Sequence, residues 1–117
     1  NLFSPQQHFA SRIKRMFIKI SKSGNSATIH ESEVLSSFEI RSPENNPEKI
    51  VEIIGNNSSV AHSDHIWVSI SWVLSQIQHK HDTKWEKEFE NMITYANSKG
   101  WLSEDQTHLL AHIEIST

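Results

Sequence analysis

Apolar residues recur at helical spacing in several stretches of the chain, each bracketed by residues that start or stop helices. Phe9, Ile13, Phe17 and Ile20 fall on one helical face with Met16 beside them, while Arg12, Lys14, Arg15 and Lys19 lie off that stripe. Ser4 caps this element, Pro5 sits at its first position, and Gly24 stops it. A second element follows a capping box of Thr28 and Glu31, carrying Val34, Leu35 and Phe38. Asn46-Pro47 opens a third through Ile50, Val51 and Ile54, ended by Gly55.

Ser63 caps a fourth, with Ile66, Ile70, Val73, Leu74 and Ile77. Thr83 and Glu86 form a capping box for a fifth, bearing Trp85, Phe89, Met92, Ile93 and Ala96 and closed by Gly100. Ser103 with Gln106 opens a sixth with Leu109, Leu110 and Ile113. All three glycines fall just past helix ends, and two of three prolines just inside starts. The expectation is one mainly-α domain over residues 1–117, six helices packed as helical hairpins. Two stretches pull the other way: WVSISWV (67–73) and HLLAHIEI (108–115) alternate with the period of a strand. The second choice is therefore an α+β fold with a small antiparallel sheet.

Composition narrows the chemistry. At 117 residues the chain has the length of one domain, and 36% hydrophobic content with four Trp and five Phe favours a folded core. It has no cysteine, which excludes disulfides, thiolate metal sites and Cys nucleophiles. No apolar run reaches the length of a membrane span, and no signal-peptide pattern opens the sequence; the compartment stays open, with cytoplasm slightly favoured. A start at Asn1 suggests that residues upstream are missing. The net charge of −3 is unevenly spread: residues 1–30 hold five bases and no acid, and the remainder holds fourteen acids against six bases. A basic helix docked on an acidic body, or offered to an outside partner, follows from this split.

The stretch from Phe9 to Phe38 resembles an EF-hand. Ile13, Phe17 and Ile20 match the apolar positions before the loop, Ser21, Ser23 and Asn25 the alternating oxygen ligands, Ile29 the central apolar residue, and Glu33 the closing glutamate. The loop is one residue too long and has serines where the family carries aspartates, so it lacks the charge calcium needs. The same region, IKISKSGNSATI (18–29), also resembles the first hairpin of the swapped-hairpin DNA-binding domains of bacterial transition-state regulators and antitoxins. The Ile-Pro pair that should follow is His30-Glu31, and the chain is acidic overall, which argues against nucleic acid.

Histidine is abundant, with eight in the chain. His62-Ser63-Asp64-His65 resembles part of the metallo-β-lactamase motif, but Val60 occupies its leading position and the chain is too short for that fold. His108 and His112 are four apart and share a face on the expected helix; with His62, Asp64 or His65 they form a candidate zinc set. His79 and His81, two apart, share no helical face. Trp67 and Trp72 flank the stripe of their expected helix and are candidate anchors for a partner. There is no phosphate-cradling glycine loop, Gly-x-Ser-x-Gly elbow or His-Glu-x-x-His motif.

The leading functional expectation is a non-catalytic regulatory or adaptor module that binds another protein, or a second copy of itself, through Arg12, Lys14, Arg15, Lys19, Trp67 and Trp72. No cofactor is required by that reading. The alternative is a small-molecule or metal-binding accessory protein, enzymatic or not, with zinc held by His62, Asp64, His65, His108 and His112. A hairpin DNA-binding regulator is the third.

Overall fold

The computed structural model describes residues 16–32, 34–35, 38–55, 57–77 and 82–115. It corrects the mainly-α expectation. Six strands form one mixed sheet, and the described residues hold three helices. The strands are β1 (Met16–Ile20), β2 (Ala27–His30), β3 (Phe38–Ser42), β4 (Ser58–His62), β5 (His65–Ser69) and β6 (His108–Ile115). The helices are α1 (Pro47–Ile54), α2 (Ile70–Gln76) and α3 (Thr83–Ser98). In space the strands run β2-β1-β3-β6-β5-β4, with β1, β3 and β6 mutually parallel and the remaining pairs antiparallel. The α+β class named as second choice is the one observed, but its sheet is six-stranded and mixed, not small and antiparallel.

The error at β1 has a clear physical origin. Its residues fit two periods at once, and tertiary burial chooses period two: Met16, Ile18 and Ile20 are buried, while Phe17 and Lys19 face the other way. Ile18 aligns with Ile40 on β3, and Ile40 with Ile113 on β6, so three strands contribute to one apolar row. Ile66 pairs with Ala111 and Val68 with Leu109, extending the same face across β5. Each fully buried large aliphatic side chain contributes roughly 1.5–3 kcal/mol.

Helix α1 follows the sequence expectation. The Asn46 side chain accepts the Lys49 backbone N–H, Pro47 occupies the first turn, and Ile50 and Ile54 face the core. Helix α3 also forms, capped by Asp82 instead of Thr83: the Asp82 carboxylate accepts the Trp85 N–H at 2.8 Å. Its stripe of Trp85, Phe89, Met92 and Ala96 joins the same core cluster, and Gly100 takes the left-handed conformation just beyond it. The Trp85 indole N–H donates to the Ser32 carbonyl, tying α3 to the segment after β2.

The other helices expected from capping signals are corrected. Thr28 lies in β2, Phe38 opens β3, and Glu31 has φ of 57°, so the Thr28/Glu31 box caps nothing there. Ser63 lies in a hairpin turn, and the helix starts only after Ser69, whose hydroxyl accepts the Trp72 N–H. The Ser103 signal closes a turn: its hydroxyl accepts from Thr107 and His108, and its own N–H bonds the His108 carbonyl, leading straight into β6. Of the two alternating stretches, HLLAHIEI becomes a strand over its whole length, whereas WVSISWV is strand only through Ser69 and helix from Ile70. The expected helix over Phe9 and Ile13 lies outside the described residues.

Candidate functional site

The site is built by the hairpin between β5 and its edge neighbour β4. Ser58, Ser59 and Val60 pair regularly with Val68, Trp67 and Ile66, and then the register shifts so that His62 faces His65. Such a bulge re-aims side chains, and here it sets His62 opposite His65 across a two-residue turn. Strand β6 adds the third imidazole, since His65 pairs with His112. Glu39 on β3 is the next neighbour of His112. Beyond it come Phe17 on β1 and His30 on β2, so one residue from each strand lies in a single row across the sheet.

Asp64, at the hairpin turn, gathers the imidazoles. Its Oδ1 lies 2.7 Å from His65 Nδ1 and 3.9 Å from His62 Nδ1, while its Oδ2 lies 3.2 Å from His112 Nε2. The rings crowd together, with centroids 4.4 Å apart for His62 and His65 and 4.9 Å for His65 and His112. The hydrogen bond to His65 does most to hold the Asp64 carboxyl below its ordinary pKa; burial opposes this, and the bond to His112 and the charge of both rings reinforce it. His112 also meets Glu114, with Nδ1 3.1 Å from Oε1. Both neighbours accept only, so His112 donates to both carboxylates when each ring nitrogen carries a proton.

The ligand atoms of His62, Asp64 and His65 all lie within 4.8 Å of one another. Ligand atoms of a tetrahedral zinc, bound at about 2.0–2.1 Å, stand about 3.3 Å apart. The two carboxylate–imidazole separations of 2.7 Å and 3.9 Å bracket that value, and all three ligand atoms fall within 4.8 Å of one another. The donor set of two imidazoles and one carboxylate suits zinc and similar divalent transition metals. His112 sits outside this trio and positions Asp64 through the other carboxylate oxygen.

A cavity of about 370 Å³ adjoins the cluster, with His65 and His112 in its wall. Met92, Tyr95 and Ala96 from the C-terminal half of α3 form another part of the lining, and Trp101 contributes a further aromatic ring. Tyr95 and Trp101 meet edge to face, centroids 5.9 Å apart. Glu39 also lines the cavity and holds Arg41 at 2.7 Å, and the Arg41 guanidinium lies over the Phe17 ring at 3.8 Å.

Among the expected metal residues, the fold brings together His62, Asp64, His65 and His112. His108 shares the sheet face of His112, but four residues along a strand separate them by about 13 Å, because the element is not a helix. Its Nδ1 instead bonds the Thr107 hydroxyl at 2.7 Å. His79 and His81 lie outside the described residues. The expected partner-binding set is not assembled: Lys19 is exposed on β1, Trp67 is half-buried on β5 three strands away, and Trp72 packs against the core from α2. Arg12, Lys14 and Arg15 lie outside the described residues.

Sequence reasoning missed Glu114, Glu39 and Tyr95 as site residues, and it preferred Trp67 and Trp72 over Trp101 as candidate aromatics. Period two in HLLAHIEI does place His112 and Glu114 on one side, so a strand reading would have paired them. In the loop of the EF-hand resemblance, Ser21, Ser23 and Asn25 hydrogen-bond one another, and the flanking segments are strands; Ile13 and Glu33 lie outside the described residues. The hairpin of the DNA-binding resemblance is present as β1 and β2, but the other side of β1 is already paired with β3. No described helix is long and apolar enough to cross a membrane. No family model matches the chain, and no curated protein or solved structure shows significant similarity to it.

Proposed function

We propose that this domain binds a divalent transition metal, zinc foremost, through His62, Asp64 and His65, with His112 and Glu114 as the outer support. The observation that carries the reading is the convergence of three ligand atoms within 4.8 Å at one hairpin turn. The support is of the kind metal sites use: Glu114 fixes His112, and His112 fixes Asp64. Three protein ligands on a solvent-accessible rim leave a coordination position for water or a ligand, the pattern of reactive rather than purely structural zinc. Because each ligand must bind unprotonated, zinc displaces the protons that otherwise bridge these groups.

The adaptor expectation drew on groove packing between helical hairpins and on exposed aromatics. With a sheet in place of those hairpins, Trp67 half-buried and Trp72 packed against the core, the expected contact surface is not assembled among the described residues, and the imidazole cluster speaks for metal. Isothermal titration of chelator-treated protein with zinc tests the proposal: one equivalent should bind, and Asp64→Asn or His65→Ala should abolish it. Binding that is absent, or unchanged in both variants, refutes it.

A further inference from the structure

We infer that the metal-loaded site takes a small ligand with an anionic, metal-coordinating head and a flat apolar body, the head on the ion and the body in the adjoining cavity. This rests on the metal reading and specifies the ligand class of the same site. His65 connects the two parts, being both a ligand of the trio and a wall of the cavity. A volume of about 370 Å³ falls in the range of small-molecule pockets, roughly 300–1,000 Å³.

The walls select for a flat apolar body. Met92, Leu109 and Phe38 supply aliphatic and aromatic surface, and Tyr95 and Trp101 are large aromatics left 53% and 43% exposed beside it. Exposed aromatic rings set edge to face present both a ring face and a ring edge for stacking. The head is selected by charge. A divalent ion brings two positive charges to a trio whose only anion is Asp64, which leaves a surplus for an incoming anion. Of the other carboxylates in the lining, Glu39 is paired with Arg41 at 2.7 Å and Glu114 is engaged by His112 at 3.1 Å.

The test uses two probes with the same head, benzohydroxamate and acetohydroxamate, titrated calorimetrically into zinc-loaded and zinc-free protein. Benzohydroxamate should bind the zinc-loaded protein at least tenfold tighter than acetohydroxamate, and neither should bind the zinc-free protein measurably. In Trp101→Ala and, separately, Tyr95→Ala, the advantage of the ring should shrink severalfold. Two further outcomes overturn the inference while leaving the metal reading intact: equal affinities of the two probes for zinc-loaded protein, or a ring advantage untouched in both variants. Benzohydroxamate binding equally well without zinc overturns the placement of the head. Failure of zinc itself to bind is read in the loading step and removes the metal reading first.

Discussion

Oδ2 of Asp64 lies 3.2 Å from Nε2 of His112, a residue 48 positions later in the chain, while Oδ1 of the same carboxylate faces His62 and His65. One side chain on a tight turn thus divides its two oxygens between a candidate ligand trio and a supporting histidine. That division depends on the sheet, because β5 and β6 set His65 beside His112 and the bulge in β4 sets His62 beside His65.

A hierarchy among the histidines follows. Replacing His65 by Ala removes a ligand and should eliminate measurable zinc binding. Replacing His112 by Ala removes only the partner that orients Asp64, and should weaken zinc by about 10–100-fold. Calorimetric zinc titrations of both variants check this. Equal losses would place His112 in the coordination shell itself, and no loss for His112 would deny it a supporting role.

The core row makes a separate prediction. Ile40 is fully buried on a central strand, aligned with Ile18 on one side and Ile113 on the other. Ile40→Ala should destabilise the fold by about 2–5 kcal/mol, through lost burial and the cavity left behind. Urea unfolding followed by tryptophan fluorescence measures it. A loss below about 1 kcal/mol would show that Ile40 is not packed as described.

The strand-to-helix switch at Ser69 rests on one hydroxyl accepting the Trp72 N–H at 3.2 Å. Ser69→Ala should cost about 0.5–2 kcal/mol in the same unfolding assay. Ser63→Ala should cost far less, since Ser63 caps no helix. The reverse order would restore the helix start expected from sequence alone.

These two serines show where the sequence was readable. Both precede apolar runs, and capping chemistry alone does not say which one stops a strand. Helices α1 and α3 were legible because Asn46-Pro47, Gly55 and Gly100 leave few alternatives over their spans. β1 was not, because Phe17 and Ile20 fit a helical stripe while Ile18 and Ile20 fit a strand, and only pairing with β3 decides between them. The histidine–aspartate cluster was half-legible: His62, Asp64 and His65 are near neighbours in sequence, whereas their link to His112 needs the register of β5 with β6. His108 entered the candidate set only through a helical spacing that the strand removes.

Asp105 predicts a pH dependence remote from the cluster. Hydrogen bonds from the hydroxyls of Thr107 and Ser103 and the Thr107 backbone N–H lower its pKa from 3.8 to about 2, with the nearby His108 adding a small favourable charge effect. A depressed carboxylate stabilises the fold fully above about pH 4, and this contribution fades as the pH falls through about 2. Asp105→Asn should therefore be less stable than the native chain at pH 6, with the gap closing by pH 2. A gap independent of pH in denaturant titrations would contradict the role of the charge.

The location of the ion is the most direct test of the account. Crystals of the zinc-loaded protein, measured above and below the zinc absorption edge, should show one anomalous peak bounded by the imidazoles of His62 and His65 and the carboxylate of Asp64, with His112 held against the far oxygen. A peak elsewhere on the protein, or zinc-loaded crystals with no peak at this hairpin turn, would contradict it.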